Sequence, residues 1–400
     1  MFTFDMLITY SNEFSEVSGN MVRSADIVII GGGIIGCATA YELAKLGAKN
    51  VVVLEKSYIT SGSTGRCGAG VRQQWGLKLN ALLAKKSVEI FECLEAELGM
   101  DIEFRQGGYL VLAHTEKQVE QFKKNIALQN SLGIPSRFVT KEEAKEICPP
   151  INTDSFIVAT YCPTDGHANP FLTTFAYQRA AERLGVKFYR YTEAQAITKN
   201  SDGTFVVHTN RGDISTQKIL NAAGPWAREV ANMVGVDIPT HPERHQIMVT
   251  EPVAPLFDTM VISFQIGIYV QQVPHGSFVL GIGEKEEPSH NINSTWQFLE
   301  HVTGELVRIL PIMANLRVVR QWAGSYTKTP DSAPILGEHP EVPNFFMAVG
   351  FSGHGFMVAP MTARVTAQMM LGQRPEIDVS PLFLDRFERG ELIVEPSVVG

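Results

Sequence analysis

The stretch of residues 25–56 limits what this chain can fold into more than any other part of it. Residues 26–30 are a short apolar run of mostly β-branched side chains, which is typical of a fully buried parallel strand. A turn of the form G-x-G-x-x-G follows, residues 38–47 continue at helical spacing, and residues 51–54 have the pattern of a second buried strand. This order predicts a βαβ unit on a parallel sheet.

The residue types in this unit are those that the diphosphate of a dinucleotide requires. Gly31 permits the tight turn, Gly33 lets a diphosphate approach the backbone, and Gly36 lets the helix pack closely on the strand. The N-terminus of the helix then offers unpaired N–H groups and a partial positive charge. Glu55, at the end of the second strand, can accept hydrogen bonds from an adenosine ribose and argues against a 2′-phosphate.

Two other interpretations of this stretch are weaker. A glycine-rich turn without a ligand is disfavoured, because a strand, a helix, a second strand and an acidic residue occur around it in the order and at the spacing of a dinucleotide site. A transmembrane helix over residues 27–44 is disfavoured by three consecutive glycines and by Glu42. We therefore interpret the stretch as a dinucleotide site.

Composition narrows the classes of function. The chain has 400 residues, enough for two domains, and a net charge of −8 without a long run of either sign, which favours neither nucleic acid nor an anionic membrane as a partner. Its five cysteines are widely spaced and form no C-x-x-C pair, which indicates a reducing, cytoplasmic environment. Residues 1–22 lack a signal-peptide pattern and are expected to be a disordered extension, unless Met21 is the natural start.

Two more glycine-rich stretches indicate contact with a ligand. Residues 61–70 are mostly small, which lets the backbone approach a ligand closely, and Arg72 comes soon after; a flexible surface loop is the alternative. Near the other end of the chain, an apolar run at 345–349 leads into a glycine-rich turn at 350–355 and a helical pattern at 357–371. Two strand–turn–helix units, one at each end, suit a cofactor larger than NAD, because the second helix could direct its N-terminus at a reduced flavin ring.

Five segments in this order resemble one known superfamily, the FAD-dependent amine oxidoreductases that include D-amino acid oxidase, glycine oxidase and sarcosine oxidase. The segments are GGGIIG with Glu55-Lys56, GSTGRCGAGVR at 62–72, ILNAAGPWA at 219–227, WAGSYTKTPDSAPILG at 322–337 and GFSGHGF at 350–356. They span nearly the whole chain. Within the superfamily, the chain is most similar to the β subunits of heteromeric sarcosine oxidases and L-proline dehydrogenases.

The expected fold class is α/β, or α+β overall. A Rossmann-like FAD-binding domain with a central parallel sheet is interleaved with a mostly antiparallel substrate domain, because residues 246–283 alternate as in an antiparallel sheet. The predicted boundaries are 23–100, 150–230 and 326–390 for the first domain, and 101–149 and 231–325 for the second.

The resemblance implies an FAD site built from both ends of the chain. The residues implied to contact the ADP half are Gly31, Gly33, Ile34, Ile35, Gly36, Glu55, Lys56 and, through its backbone, Ala194. Those implied to lie along the diphosphate and the flavin are Ser63, Thr64, Gly68, Ala69, Gly70, Ala223, Gly224, Trp226, Gly324, Gly353, His354, Gly355, Phe356 and Met357.

The resemblance also implies the reaction. A hydride would leave the carbon beside the amine of a small amino acid, such as L-proline, sarcosine or glycine, for flavin N5, giving an imine. The residues implied to form the catalytic site are Arg72, Tyr269, Tyr326 and His354. Arg72 matches an arginine that binds the substrate carboxylate, although a structural ion pair is the alternative for it. His354 has a satisfied structural histidine as its alternative.

No metal site is expected. His167, His241 and His245 do not have the spacing of metal ligands, and we interpret them as structural. Cys67 is more typical of a small packed residue than of a nucleophile.

Departures from the family pattern favour a dehydrogenase over an oxidase. Gly324 stands where monomeric sarcosine oxidases carry the cysteine that binds FAD covalently, so FAD is expected to be non-covalent. Met357 replaces a lysine of their carboxylate clamp, and Val279 replaces the lysine that promotes their reaction with oxygen. Tyr326 takes the place of the carboxylate-binding arginine of glycine oxidase.

The expected role is therefore the catalytic β subunit of a heteromeric dehydrogenase that contains an α-type subunit. The alternatives are a free-standing oxidase that produces H2O2 and a flavin-binding electron-transfer subunit without its own substrate. Heteromeric sarcosine oxidases also imply FMN at a subunit interface, attached to a histidine; here Pro170 stands at that position with His167 nearby.

Overall fold

The computed structural model describes residues 21–395, which form eight helices and eighteen strands, and none of these helices is long and apolar enough to span a bilayer. The helices are α1 (Ile34–Lys45), α2 (Lys78–Leu98), α3 (Glu116–Ser131), α4 (Lys141–Ile147), α5 (Pro170–Arg183), α6 (Ala227–Met233), α7 (Trp296–Ile309) and α8 (Gly355–Met370). The strands are β1 (Ser24–Ile30), β2 (Val51–Leu54), β3 (Gly70–Val71), β4 (Tyr109–Ala113), β5 (Arg137–Val139), β6 (Val158–Cys162), β7 (Gly166–His167), β8 (Lys187–Tyr189), β9 (Ala194–Lys199), β10 (Phe205–Thr209), β11 (Gly212–Asn221), β12 (His241–Thr250), β13 (Met260–Ser263), β14 (Ile268–Gln272), β15 (Phe278–Ile282), β16 (Val318–Lys328), β17 (Ile335–His339) and β18 (Val342–Val349).

The predicted N-terminal extension, residues 1–22, lies almost wholly outside the described residues. Of its last two residues, Val22 donates its backbone N–H to the Tyr189 hydroxyl at 3.0 Å, and Met21 packs beside it on the first sheet.

The first sheet has the order β17-β18-β11-β1-β2-β8, with β10 and β9 joined to it through β11. Neighbours from β18 to β8 run parallel, which confirms the predicted central parallel sheet. The hairpins at its margins are antiparallel. Strand β11 is long because its first half pairs with β10 while its second half pairs with β1.

Helices α1, α2, α5 and α8 pack together over the first sheet. Helix α1 is buried on nearly every side because α5 and α8 both pack against it. A Cβ on Gly36 would lie 2.0 Å from the carbonyl oxygen of Gly31, so this position requires glycine for α1 to begin directly after β1. Burying aliphatic side chains such as Ile29 and Leu43 contributes about 1.5–3 kcal/mol each.

The second sheet has the order β16-β12-β15-β14-β13-β4-β6-β5. Every neighbouring pair is antiparallel except β13 and β4, so the predicted mostly antiparallel sheet is confirmed. Helix α7 covers it with the buried side chains Phe298, Val302 and Leu306, which belong to the same apolar cluster as Leu280 of β15.

The sheets do not follow the predicted domain boundaries at two places. Strand β6 was assigned with residues 150–230 to the cofactor domain, but it pairs with β4 and β5 in the second sheet. Strand β16 continues to Lys328, past the predicted boundary at 326. Backbone pairing with strands distant in sequence decides both cases. The division into two domains otherwise stays a prediction.

Candidate active site

A cavity of about 450 Å³ lies where the carboxyl ends of β1, β2, β11 and β18 meet the second sheet. This is the edge at which open α/β sheets bind their ligands. Every predicted cofactor or substrate residue lines it except Gly36, which packs against the turn instead. Lining residues that the sequence analysis did not assign to the site include Ser61, Arg66, Trp75, Tyr109, His245, Met260, Ile262, Phe351 and Ser352.

The glycine-rich turn after β1 forms one end of the cavity, called here the dinucleotide end together with Glu55. Gly31 has φ +118°, and a Cβ there would lie 2.3 Å from the carbonyl oxygen of Ala222, so only glycine fits. Gly33 is the N-cap residue of α1 and has no side chain to accept from the first N–H groups of the helix. The backbone N–H of Ile34 donates to the Thr64 hydroxyl at 3.1 Å. Small residues and helix N–H groups thus face the same space, which fits a diphosphate.

The carboxylate of Glu55 is fixed in the wall of the cavity. One oxygen accepts from the backbone N–H of Gly32 at 2.8 Å, and the other accepts from the Ser57 N–H at 2.8 Å and the Ser61 hydroxyl at 3.1 Å. A carboxylate has about four lone-pair sites, so one further donor, such as a ribose hydroxyl, can still be accepted. The arrangement fits the predicted contact with ribose.

At the opposite end of the cavity, α8 begins at the glycine-rich turn after β18. Gly353 has φ +97°, and a Cβ there would lie 2.6 Å from the Tyr326 ring, so the turn can pack on this tyrosine only with glycine. His354 precedes the helix and is 8% exposed, and its Nδ1 is buried without a hydrogen-bond partner among the described residues. Burial, with a smaller effect of Arg72 and Lys328, lowers the pKa of His354 to about 3.

Three rings stack beside this turn, and we call them the aromatic stack: Tyr269, His245 and Tyr326. The His245 ring lies 4.4 Å from the Tyr326 ring, nearly parallel to it, and 5.8 Å from the Tyr269 ring. Its Nε2 lies 3.1 Å from the Tyr269 hydroxyl, within hydrogen-bond distance. Burial, then Lys328, lowers the pKa of His245 to about 4, and burial raises the pKa of both tyrosines. All three rings are therefore uncharged at neutral pH.

His245, which we interpreted as structural, lies in the wall of the cavity. It stands on β12, and the strand register puts it opposite Gly324 of β16. No spacing of histidines in the sequence could have indicated this position.

Arg72 is 4% exposed and lies between aromatic side chains. Its guanidinium carbon is 4.1 Å from the Trp75 ring centroid and 5.0 Å from that of Phe264. It also donates to the backbone carbonyl of Gln74. Burial lowers the pKa of Arg72, while Tyr109 and two carboxylates oppose that shift. The guanidinium stays charged, because arginine does not lose its proton in proteins.

Asp165, which the sequence analysis missed, holds the loop that carries Arg72. It is fully buried and accepts from the Gln73 backbone N–H at 2.7 Å and from Gln74 Nε2 at 3.1 Å. Gln74 is held further by Thr160, whose hydroxyl donates to its amide oxygen at 2.7 Å. Burial raises the pKa of Asp165 to about 6 in spite of these hydrogen bonds. The network fixes the backbone on which the Arg72 side chain stands.

A family model described as FAD dependent oxidoreductase matches residues 26–369. The chain belongs to this family. Its members include a protein to which it is 31% identical over 389 residues, the sarcosine oxidase subunit beta of Arthrobacter sp; the match covers 96% of both chains. The crystal structure of L-proline dehydrogenase from P. horikoshii superposes with a TM-score of 0.90 at 40% identity, covering 93% of this chain and 100% of that one. A longer relative, dimethylglycine dehydrogenase of Rattus norvegicus, is 30% identical, and the match spans 45% of its length.

These likenesses confirm the predicted family, the Rossmann-like fold with its interleaved antiparallel sheet, and FAD as the cofactor. The protein is an FAD-dependent oxidoreductase of the sarcosine oxidase and proline dehydrogenase type.

His167, the histidine near the position predicted for FMN, is buried. His167, on β7, is 4% exposed, and burial, then Arg105, lowers its pKa to about 4. Pro170, at the position where heteromeric sarcosine oxidases carry the histidine, is the first residue of α5. Among residues 21–395, no group of three or more His, Cys, Asp and Glu side chains could hold a metal ion.

Proposed function

We propose that this chain oxidises a small amino acid, moving a hydride from the carbon beside the amine to FAD and leaving an imine. One observation carries the proposal: the buried guanidinium of Arg72 shares a cavity with the glycine-rich turn and Glu55 of the dinucleotide end. A cation for a carboxylate and a site for a dinucleotide are thus parts of one enclosed space. L-proline and sarcosine are the favoured substrates, because they fit a relative named L-proline dehydrogenase and one named sarcosine oxidase subunit beta.

Arg72 would bind the substrate carboxylate. The ring planes of Trp75 and Phe264 restrict the orientation of the guanidinium, and Asp165 fixes its loop through Gln73. Away from water, a charge-assisted hydrogen bond to a carboxylate is stronger than at an exposed site. Binding through the carboxylate orients the substrate before the reaction.

The aromatic stack and His354 would surround the amine and the reacting carbon. The amine must be neutral before a hydride can leave the neighbouring carbon. The burial that lowers the pKa of His245 to about 4 and of His354 to about 3 also disfavours an ammonium ion in the same space. Tyr269, hydrogen-bonded to His245, and Tyr326 offer neutral hydroxyl groups to the substrate.

Bound FAD would supply the hydride acceptor. Gly31, Gly33 and Glu55 would hold its ADP half, and the N-terminus of α8, beside His354, would offer a partial positive charge to the flavin. Gly324 lines the cavity without a side chain that could form a covalent link, which supports non-covalent FAD.

We further propose that the chain is the catalytic β subunit of a heteromeric dehydrogenase with an α-type subunit in the cytoplasm, with FMN at the subunit interface left as a prediction. The name of the Arthrobacter relative and its 96% coverage support the β-subunit role. Val279 on β15 and Met357 at the cavity support a dehydrogenase, because both replace lysines of the oxidases. The five free cysteines support a reducing compartment.

The test is an anaerobic titration of the FAD-loaded chain with L-proline, sarcosine, glycine and D-alanine, following the flavin absorbance. We expect L-proline or sarcosine to bleach the flavin, and the colour to return slowly when air is admitted. Rapid return with H2O2 would show an oxidase instead. If no amino acid bleaches the flavin, with or without a co-purified partner, the chain has no amino acid substrate and the electron-transfer alternative holds.

A further inference from the structure

Two side chains meet across the mouth of the dinucleotide end. Lys56 directly follows Glu55 at the end of β2, and Trp226 ends the short 3₁₀ turn that follows β11. The Lys56 ammonium nitrogen lies 3.1 Å from the centroid of the Trp226 ring. Both residues line the cavity, yet Lys56 is exposed and Trp226 is only half-buried, so their contact lies where the cavity meets the surface of the protein.

A second contact comes from the segment between β15 and α7. The His290 ring stacks on Trp226 at 5.4 Å between ring centroids and 13° between ring planes. Its Nε2 lies 2.7 Å from a carboxylate oxygen of Glu229, which stands on α6 and also lines the cavity. Trp226 is therefore contacted from both β2 and the segment between β15 and α7.

The segment that carries His290 has no helix or strand, but it is held on both sides of this residue. Arg244 of β12 donates to both carboxylate oxygens of Glu286, each at 2.9 Å, and to the backbone carbonyl of Asn293 at 2.8 Å. The Ser289 backbone N–H donates to the carbonyl of Pro242 at 2.9 Å. These hydrogen bonds fix the backbone on both sides of His290, whose ring packs on Trp226.

Three nearby carboxylates stabilise the charged form of Lys56. Glu193, Glu55 and Glu229 all raise its pKa, although burial at the mouth outweighs them and lowers the pKa overall. An ammonium ion over an indole ring gains energy from the quadrupole of the ring, and more so where it is partly desolvated.

We propose that Lys56, Trp226, His290 and Glu229 form a clasp over the dinucleotide end of the cavity, and that the clasp opens for FAD to enter and leave. The inference rests on the proposed position of the ADP half of FAD at Gly31–Gly36 and Glu55. It adds a gating role to two residues that were assigned only to binding, and it brings in two more that no motif indicated.

A clasp and a simple contact with bound FAD differ in their kinetic effects. A residue that only contacts FAD slows its release and leaves its entry unchanged. A clasp slows both entry and release, because the same contact must open in either direction. The two rates, measured separately, therefore distinguish the two roles without any measurement of activity.

The experiment follows flavin fluorescence in a stopped-flow instrument, with FAD binding to apoprotein and FAD released into excess of a competing apoflavoprotein. The variants are Lys56→Met and His290→Ala, with Lys56→Arg as the conservative variant and the exposed Lys49→Met as the matched control. We expect Lys56→Met and His290→Ala each to raise both rates about 3- to 30-fold, the range that contacts of this strength allow. Lys56→Arg should stay near the rates of the unmodified protein, because a guanidinium also stacks on indole.

Unchanged entry rates in Lys56→Met or in His290→Ala would overturn the clasp, even if FAD were released faster. Failure of the unmodified apoprotein to bind FAD at all would instead refute the proposed cofactor site. Thermal unfolding of each apoprotein shows whether the variant is folded, and Lys56→Arg keeps the test decisive if Lys56→Met is not: rates raised as far in Lys56→Arg as in His290→Ala would exclude a role for the cation over the indole ring.

Discussion

His245 and His354 stay uncharged at neutral pH because burial lowers their pKa values to about 4 and about 3. Arg72, in the same cavity, keeps its charge. At the scale of single residues, the cavity thus combines a buried cation with neutral hydrogen-bonding groups. Such a set suits a ligand that has a carboxylate at one end and a neutral amine at the other.

Arg72→Ala should weaken the use of amino acids far more than the use of amines without a carboxylate. Truncating one partner of a buried charge pair costs about 2–5 kcal/mol, which is roughly a 30- to 4,000-fold loss in kcat/KM for L-proline. For pyrrolidine, which lacks the carboxylate, we expect little change. The measurement is steady-state kinetics with both substrates and an artificial electron acceptor.

The exposed Arg308→Ala is the matched control for this substitution, since its side chain is 74% exposed. An equal loss for L-proline and pyrrolidine in Arg72→Ala would remove the carboxylate-binding role. Arg72 would then be a structural residue that stabilises its own loop by packing on the Trp75 ring.

His167 should make the protein less stable as the pH falls. Unfolded histidine binds a proton below about pH 6.5, whereas folded His167 does so only below about pH 4. The stability from a neutral His167 is therefore nearly complete above about pH 7.5, and between pH 6.5 and pH 5 the protein loses about 1.6 kcal/mol of unfolding free energy through this residue. In His167→Gln this part of the loss should disappear, as measured by urea unfolding at the two pH values.

Asp165 acts in the opposite direction, because its pKa is raised to about 6, but it is present in both proteins and cancels in the comparison. The exposed His275→Gln is the control. The same pH dependence in His167→Gln as in the unmodified protein would mean that His167 is not held neutral.

At the scale of elements, the starts of some helices are fixed by capping residues that are local in the sequence. Helix α7 runs from Trp296 to Ile309, and the Thr295 hydroxyl accepts from the Phe298 N–H at its start. Helix α4 has the capping box between Thr140 and Glu143. The partners of a strand, in contrast, are distant in the chain: β6 lies in residues 150–230, which were expected in the cofactor domain, but it pairs with β4 of the second sheet.

Gly33→Val should leave the first βαβ unit folded and prevent it from binding FAD. The backbone of Gly33 has φ −81°, which any residue adopts, and a Cβ there would approach only the Thr64 hydroxyl, at 3.1 Å. The remaining atoms of valine would extend into the space proposed for the diphosphate. We expect an unchanged circular dichroism spectrum and no flavin absorbance in the purified protein.

Gly304→Ala in α7 is the control, because a Cβ at Gly304 meets nothing within 4 Å. A fully flavin-loaded Gly33→Val protein would refute the position of the diphosphate at the first turn.

At the scale of the whole molecule, the cavity joins the first and second sheets, and both contribute to its walls. The parallel strands provide the dinucleotide end through the turns at their carboxyl ends. The antiparallel strands β12, β14 and β16 carry the aromatic stack. Neither sheet alone provides all the walls of the cavity, so the activity requires both sheets to be folded and packed together.

Denaturation of the whole protein should release all of its flavin. Gly324, on the wall of the cavity, has no nucleophilic side chain, and a Cβ there would lie 2.9 Å from Cβ of Arg66, so the wall is closely packed at this point. After acid precipitation we expect a colourless pellet and all the flavin absorbance in the supernatant. A yellow pellet would reveal a covalent link at another residue.

The sequence by itself determined the two glycine-rich turns, because each is a local pattern in which backbone conformation and close approach permit only small residues. The family and the cofactor followed from the resemblance of five sequence segments to a known superfamily. The tertiary structure alone decided that His245 stacks between Tyr269 and Tyr326, that Asp165 holds the Arg72 loop, and that His290 reaches Trp226. These contacts join strands and loops distant in sequence. They depend on strand register and side-chain burial, which arise only when the two sheets pack together.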